Sequence, residues 1–217
     1  MTELDPRLAA VLSEAQRQHL IGSGDLGSHI EHALGFLRAL SSVGDENGFV
    51  LNGARVLDLG SGGGLPGLVL ASARPGVHVE LLDANLRRTT FLSEAIDALD
   101  LSSRVSVVRA RAETRARDPF ERGNFDLVVA RGFGRPAVTA ECGAPFLRIG
   151  GRMAVSEPPA DGPEAQSRWP ASELAELGLE PLYVHREDFS YQVLVQAHPC
   201  PDIYPRRPGI PAKRPLF

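Results

Sequence analysis

A glycine-rich stretch directly after a short apolar run constrains the fold of this chain more than any other feature. The run RVLDLG at 55–60 has the length and composition of a buried strand, and SGGGLPG follows at 61–67. Glycines between a strand and a helix let the backbone approach a ligand closely, and the start of the helix presents unpaired N–H groups. The stretch therefore predicts a strand, a ligand-binding turn and a helix in succession.

Strands and helices are predicted to alternate along the chain after this turn. Further strands are predicted at 77–83, 105–110, 125–130 and 152–157, and helices at 65–73, 87–99, 136–147 and 170–178. The last two apolar runs, 180–187 and 191–197, are separated by three residues, which is too short for a crossover, so this pair must be antiparallel. An α/β fold with a mostly parallel, seven-stranded sheet that ends in an antiparallel pair is typical of class I, Rossmann-like methyltransferases.

The two ends of the chain are predicted to lie outside this sheet domain. Residues 1–53 contain two amphipathic helices, at 7–20 and around 30–40, and form a helical extension before the sheet domain at 54–198. Residues 199–217 contain six prolines, which disfavour regular structure, so this segment is predicted to be an extended arm.

The composition limits the class of protein. The chain has 217 residues, of which 43% are hydrophobic, so it has enough apolar material for a core and is not a disordered protein. Glu3 and Asp5 stand where a secretory signal would be basic, and no apolar run approaches the roughly 18 residues of a membrane span. The only two cysteines, Cys142 and Cys200, are far apart in the sequence, which excludes a framework of disulfides and the close spacing of metal ligands. We expect a cytoplasmic protein without a membrane segment or a metal site.

Two ligand templates fit the glycine-rich turn. Gly60, Gly62 and Gly64 match the D-x-G-x-G-x-G pattern of S-adenosylmethionine (SAM) sites, whereas Gly62, Gly64 and Gly67 match the G-x-G-x-x-G pattern of dinucleotide sites. Asp58 favours SAM, because a carboxylate at the strand end can hold the cationic methionine moiety, directly or through water, and would repel a pyrophosphate. The antiparallel strand pair also does not belong to a dinucleotide-binding sheet. We therefore predict SAM as the cofactor.

Side chains at the ends of the next three strands are candidates for the same site. Asp83 ends the second strand and is expected to accept hydrogen bonds from ribose hydroxyls, although it could also cap the helix that starts near Leu86. Ala112 and Glu113 follow the third strand, where backbone N–H groups and a carboxylate can meet an adenine ring; a solvated Glu113 is the alternative. Arg131 ends the fourth strand, and a guanidinium beside apolar residues is costly unless it binds something.

These residues carry a resemblance to a known family. The segments concerned are DLGSGGGLPG (58–67), LLDANLRRTTFL (81–92), RARAE (109–113), FDLVVARGF (125–133) and YPRRPGIPAKRPL (204–216). In these segments the chain resembles the bacterial 16S ribosomal RNA guanine-N7 methyltransferases, the glucose-inhibited division protein B family. The resemblance implies SAM-dependent methylation of guanine N7 in the RNA of the small ribosomal subunit. By motif position it implies SAM contacts at Gly60, Leu65, Ala112, Glu113 and Arg131.

The chain departs from the family pattern on the substrate side. An Asn-Leu-Thr element is missing from residues 1–53, and the R-H-x-L-D-S helix is reduced to SHIEHA (28–33), with His32 where Asp is expected. After the fifth strand, Ser156-Glu157-Pro158 replaces Lys-Gly, which puts an anion beside the expected RNA entrance. A methyltransferase for a different acceptor and a SAM-binding protein without turnover therefore stay open as alternatives.

Guanine N7 has a lone pair and no proton, so its methylation needs no general base but does need alignment with the methyl donor. Arg131 could orient the base by donating to O6, or, as the resemblance implies, it could contact the cofactor. The basic residues of the arm are candidates for contacts with RNA phosphates, and a tail packed on the sheet edge is the alternative. These residues are Arg206, Arg207, Lys213 and Arg214.

Overall fold

Seven strands form one sheet in the computed structural model, which describes residues 4–41, 49–158 and 168–217. They are β1 (Arg55–Leu59), β2 (His78–Asp83), β3 (Val105–Arg109), β4 (Phe125–Ala130), β5 (Leu147–Glu157), β6 (Leu179–Arg186) and β7 (Ser190–Gln196). Their order across the sheet is β3-β2-β1-β4-β5-β7-β6. Strands β1 to β5 pair in parallel, whereas β7 is antiparallel to both β5 and β6. The predicted α/β sheet with an antiparallel end is confirmed.

Helices cover both faces of this sheet. They are α1 (Pro6–Arg17), α2 (Leu26–Ser41), α3 (Gly67–Ala73), α4 (Leu86–Ala98), α5 (Ala112–Arg115), α6 (Pro136–Gly143), α7 (Ala171–Ala175) and α8 (Ile210–Lys213). Alternate residues of a strand point to opposite faces. In β4, Leu127 and Val129 belong to the apolar cluster of α1 to α4, and Val128 and Ala130 to that of α6, α7 and the C-terminal tail. Burial on both faces explains why the strands are continuous apolar runs.

Some predicted boundaries are wrong. Helix α3 begins at Gly67 rather than at residue 65, and α6 ends at Gly143, before a short 3₁₀ turn at 144–146. Strand β5 begins at Leu147, five residues before the predicted start, because the chain already pairs with Phe125 there. The pairing register then shifts between Phe125 and Leu127, so the glycines at 150 and 151, which suggest a turn, lie inside the strand. The segment 44–53, whose glycines and polar residues predict a loop, has its first half, 44–48, outside the described residues.

The C-terminal tail is not an extended arm. It contains α8, a single turn that begins after Gly209 with Pro211 in its first turn, where proline is tolerated because it needs no amide donor. Tyr204, Leu216 and Phe217 pack against the apolar cluster of α6 and α7. The tail is therefore part of the folded domain. No helix in the described ranges is both long and apolar enough to cross a membrane.

Helix α2 packs so closely on β7 that Gly35 has no space for a side chain. A Cβ at Gly35 would overlap the hydroxyl of Tyr191, which donates a 2.6 Å hydrogen bond to the carbonyl of His32. We expect Gly35→Ala to lower the free energy of unfolding by about 1–3 kcal/mol, as overpacking of a core does. Gly27→Ala, in the exposed first turn of the same helix, is the control. Its Cβ would lie 3.0 Å from an oxygen at the end of the exposed Asp25 side chain, which can shift, so we expect a change of no more than about 0.5 kcal/mol in urea denaturation. Equal midpoints for the two variants would contradict this packing argument.

Candidate active site

The glycine-rich turn after β1 is a rigid backbone cradle. Gly60, Gly62 and Gly64 have φ values of +76°, +56° and +94°, a region that residues with a side chain rarely adopt. The N–H groups of Gly60 and Ser61 both donate to the carbonyl of Leu82 in β2, at 2.9 and 3.0 Å. The turn is thus held against the neighbouring strand, with its shape fixed by glycine.

Asp58 lies beneath the turn rather than on its surface. Its side chain is fully buried, and Oδ2 accepts a 2.9 Å hydrogen bond from the N–H of Gly67, which ties the end of β1 to the start of α3. The second oxygen, Oδ1, is buried without a hydrogen-bond partner. Burial raises the pKa of Asp58 to about 7, although the Gly67 hydrogen bond partly offsets that effect. A buried acceptor without a partner beside the turn fits a ligand with a cationic donor.

Asp83 is held in place by three donors. Oδ2 accepts from the N–H of Gly62 at 3.0 Å and from the guanidinium of Arg88 at 3.3 Å, and Oδ1 accepts from the N–H of Asn85 at 2.9 Å. The alternative role of Asp83 as the cap of α4 is wrong, because the side chain of Asn85 accepts from the N–H of Arg88 and is the cap. A carboxylate offers about four acceptor positions, so Asp83 has capacity left for a ligand.

Two adjoining cavities flank the turn. The first, of about 310 Å³, lies over the ends of β2 and β3, and we call it the adenosine cavity. The second, of about 250 Å³, lies between the turn and the segment 20–22, and we call it the turn cavity. The adenosine cavity is lined by Gly60, Asp83, Ala112 and Glu113, and the turn cavity by Gly60, Gly62, Leu65 and Arg131. The predicted cofactor residues thus come together around the turn, except that Asp58 and Gly64 support it from behind.

Glu113 has a role that sequence reasoning missed. Its side chain is buried, which makes the alternative of a solvated Glu113 wrong, and its Oε1 accepts a 2.9 Å hydrogen bond from the N–H of Gly209. This bond holds the C-terminal tail so that Ala212 lines the adenosine cavity. Nothing in the sequence indicates a contact between residues 96 positions apart.

A third and larger cavity, of about 710 Å³, opens on the other side of Arg131, and we call it the acceptor cavity. It shares Arg131 and Gly132 with the turn cavity and Phe133 with the adenosine cavity. Its wall includes the aromatic residues Phe133, Trp169 and Phe189. Aromatic walls with a few polar groups suit a flat, polar ring.

Arg131 joins helix α2 to the site. Its guanidinium lies 2.7 Å from Nδ1 of His29 and donates to the carbonyl of His29 at 3.4 Å. Nε2 of His29 lies 3.0 Å from the carbonyl of Gly22, so Nε2 carries the proton and Nδ1 accepts from Arg131. Burial lowers the pKa of Arg131. The sequence predicted Arg131 as a functional residue but not its pairing with His29, 102 residues away.

Glu157 is not the bare anion that its sequence suggests. Its Oε2 pairs with Arg168 at 2.7 Å, and its Oε1 accepts from the indole N–H of Trp169 at 3.0 Å. The charge at the rim of the acceptor cavity is therefore compensated, and the expectation of a repulsive anion at an RNA entrance is wrong. His32, which replaces the expected Asp, stacks flat on Phe189 with ring centroids 4.4 Å apart. Burial lowers the pKa of His32 to about 4, so this side chain is neutral at neutral pH.

The basic residues of the tail divide into two kinds. Arg206 is bound to Glu141, a fully buried carboxylate, through both its Nε at 2.8 Å and an Nη at 2.6 Å. This guanidinium is already used inside the protein, contrary to its prediction as a phosphate ligand. Arg207, Lys213 and Arg214 are exposed and stay candidates for RNA contacts. Within the described ranges, no group of three or more His, Cys, Asp or Glu side chains could hold a metal ion.

The strand order, the glycine-rich turn and the carboxylates at the strand ends define a class I methyltransferase. Solved structures agree at the level of the fold. One is a putative O-methyltransferase from Klebsiella pneumoniae, with a TM-score of 0.59 at 15% identity over 90% of this chain and 91% of that one. Another is a putative sarcosine dimethylglycine methyltransferase from Galdieria sulphuraria, with a TM-score of 0.56 at 14% identity over 79% and 86%.

The sequence comparisons narrow this class to a family. The family model described as rRNA small subunit methyltransferase G matches residues 4–166. The ribosomal RNA small subunit methyltransferase G of Roseiflexus castenholzii is 38% identical over 190 residues, 86% of this chain and 78% of the relative. That of Moorella thermoacetica is 35% identical over 168 residues, 75% and 70% of the two chains. The chain belongs to the rRNA small subunit methyltransferase G (GidB) family, which confirms the resemblance carried by its motifs.

Proposed function

We propose that this protein transfers a methyl group from SAM to N7 of a guanine in 16S ribosomal RNA. One observation carries the proposal. The turn cavity, which adjoins the adenosine cavity, shares Arg131 and Gly132 with the aromatic acceptor cavity, so a cofactor and a base bound in them would meet at these two residues. Family membership supports ribosomal RNA of the small subunit as the substrate, and a protein that acts on ribosomes would work in the cytoplasm. The pairing of Glu157 with Arg168 weakens one of the three departures that favour another acceptor, whereas the missing Asn-Leu-Thr element and His32 in place of Asp remain.

The residues around the turn fit SAM. Asp83 would accept from the ribose hydroxyls, and Ala112 and Glu113 would border the adenine, since all three line the adenosine cavity. Asp58 lines neither cavity, so it would act on SAM from beneath the turn, through the attraction of its buried charge for the cationic methionine end. When bound, SAM supplies an electrophilic methyl group to the lone pair of guanine N7.

The side chains of the acceptor cavity would position the guanine base. N7 needs no general base, so the work of the protein is to align the base and to exclude water. Phe133, Phe189 and Trp169 provide apolar walls for this purpose. Arg131, at the junction of the cavities, can donate to O6 of the base while leaving N7 uncovered.

The segments outside the central domain complete these cavities. We propose that the domain at 54–198 carries the reaction and that the segments 1–53 and 199–217 close it. Residues 20–22 line the turn cavity from one side, and Ala212 lines the adenosine cavity from the other. The exposed cations of the tail lie close to Ala212 in the chain and are available to RNA phosphates.

The function is tested by mass spectrometry of 16S ribosomal RNA from cells that lack the protein. We expect one N7-methylguanosine to disappear and to return when the wild-type gene is restored. Unchanged 16S RNA together with tight binding of S-adenosylhomocysteine (SAH) would contradict the proposal and favour a different acceptor.

Removal of the Arg131 side chain should affect catalysis more than cofactor binding. Because Arg131 both orients the base and holds His29 of α2, we expect Arg131→Ala to lower kcat/KM by about 100-fold or more, which is the size of effect seen when one positioned donor is removed. SAH affinity, measured separately by calorimetry, should fall by less than that factor. Arg135→Ala, an exposed arginine at the start of α6, is the control. Full activity with unchanged SAH binding would remove Arg131 from both roles.

A further inference from the structure

Glu157 and Arg131 reach the acceptor cavity from opposite faces of the sheet. Arg131 directly follows Ala130, the last residue of β4, and Glu157 is the last residue of β5, two residues beyond Val155, the partner of Ala130. Arg131 points toward α2, where it meets His29, whereas Glu157 points toward Trp169, which belongs to the cluster on the other face. Arg131 and Glu157 therefore approach a flat ring in this cavity from opposite sides, and the wall also contains the charged residues Arg168, Arg186, Glu187 and Asp188.

The carboxylate of Glu157 is positioned in advance. Its side chain is only 10% exposed, and the guanidinium of Arg168 and the indole of Trp169 fix one oxygen each. These two donors use about half of the acceptor positions of a carboxylate. Glu157 lines the acceptor cavity, so its remaining acceptor capacity is available to a ligand there.

This arrangement matches guanine and opposes adenine. Guanine carries the acceptors N7 and O6 side by side, and the donors N1–H and the N2 amino group follow around the ring. Adenine has an amino donor in place of O6 and an acceptor at N1, so it would present a donor to Arg131 and a lone pair to Glu157. Buried polar groups that lose their partners in this way produce strong discrimination.

We propose that Glu157 selects guanine by accepting hydrogen bonds from N1–H and from the N2 amino group of the base in the acceptor cavity. The inference rests on the proposed function, and it adds the residue that distinguishes the bases. Arg168 and Trp169 act as positioning residues, because they hold the carboxylate in place. The competing explanation is that Glu157 only anchors Arg168 and Trp169 to the end of β5.

The test compares guanosine with inosine, which lacks the N2 amino group but keeps N7, O6 and N1–H. Small subunits are reconstituted with 16S RNA that carries either nucleoside at the methylated position, joined by splinted ligation. We expect the wild type to prefer guanosine by about 10- to 100-fold in kcat/KM, the range of one good pair of hydrogen bonds to a base. Glu157→Gln keeps an acceptor for Trp169 but loses the charge and one acceptor, and it should methylate both substrates at similar, reduced rates.

Two controls separate selection from anchoring. Arg168→Ala removes one of the two donors that position the carboxylate but leaves the carboxylate held by Trp169, so the preference for guanosine should weaken but persist. Glu180→Gln, an exposed residue of β6, should behave as the wild type. If Glu157→Gln keeps the wild-type preference for guanosine while its rate or its melting temperature falls, Glu157 only anchors its neighbours and the inference is wrong. A wild type that methylates neither substrate would instead contradict the proposed function.

Discussion

Arg206→Ala is expected to lower the free energy of unfolding by about 3–5 kcal/mol, the range for removing one partner of a buried ion pair. The carboxylate of Glu141 is fully buried and receives three hydrogen bonds from Arg206, one from its backbone N–H and two from its guanidinium. The substitution deletes the two guanidinium bonds and leaves a buried negative charge without compensation. Urea denaturation followed by circular dichroism measures the loss.

Arg207 provides a matched control for this prediction. It is the next residue in the chain and is exposed, and we expect Arg207→Ala to change stability by no more than about 0.5 kcal/mol, as surface substitutions usually do. Adding Glu141→Gln to Arg206→Ala should restore part of the lost stability, because it removes the buried charge. If Arg206→Ala and Arg207→Ala are equally stable and both weaken RNA binding with a reduced salt slope, the original prediction of an RNA-binding Arg206 holds instead.

The stability of the tail also matters for the cofactor site. Arg206 lies three residues before Gly209, which bonds to Glu113, and six before Ala212, which lines the adenosine cavity. Loosening of the tail in Arg206→Ala should therefore reduce SAH affinity, whereas Arg207→Ala should not. An Arg206→Ala variant that is destabilised but binds SAH as the wild type does would show that the tail is dispensable for the cofactor.

The arrangement of the sheet was predictable because it depends on local patterns. Apolar runs of strand length, helical spacing between them and a three-residue link before β7 suffice to give a parallel sheet with an antiparallel end. That the candidate site residues at 58–65, 83, 112–113 and 131 lie close together was predictable for a related reason, since the carboxyl ends of parallel strands meet at one edge. The ends of elements were less predictable, as the early start of β5 shows.

Contacts between distant residues could not be predicted from the sequence. The sequence gives the charge of Glu157 but not its partner, and so it suggested a repulsive anion where the structure has an ion pair. The same holds for Arg206, whose basic neighbours suggest a phosphate-binding arm although its guanidinium is bound to Glu141. Which arginine is free and which is paired depends on tertiary packing, and no local pattern carries that information.

We expect Asp58→Asn to raise the free energy of unfolding and to lower the affinity for the cofactor. At about pH 8 the wild-type carboxylate is ionised within the core, and an amide removes that buried charge. Because the amide NH2 group would lack a partner as Oδ1 does, we expect the free energy of unfolding to rise by only about 1–3 kcal/mol, less than the full cost of the raised pKa. The amide oxygen can still accept from Gly67. It carries no charge to attract the methionine ammonium group, so SAH affinity at the same pH should fall by about 10-fold, since the attraction acts through space and not through a hydrogen bond.

The pH dependence of both effects follows from the raised pKa of Asp58. The folded protein keeps the proton of Asp58 up to about pH 7, whereas the unfolded chain loses it near its ordinary value of 3.8. Unfolding thus releases a proton between these values, and the contribution of Asp58 to stability falls as the pH rises through this window. The stability advantage of Asp58→Asn should therefore be small near about pH 4, grow up to about pH 7 and then level off.

The neighbouring charges and a surface control make this test specific. Asp83 and Arg131 are the other charged groups that act on Asp58, and both remain in the variant. Asp202→Asn removes a fully exposed carboxylate that forms one surface ion pair with Arg122, so it should change stability by no more than about 0.5 kcal/mol and leave SAH affinity unchanged. If Asp58→Asn shows the expected stability curve but binds SAH as tightly as the wild type, Asp58 serves only to tie β1 to α3. If the stability difference does not vary with pH, the carboxylate is not the buried, proton-holding group that its environment implies.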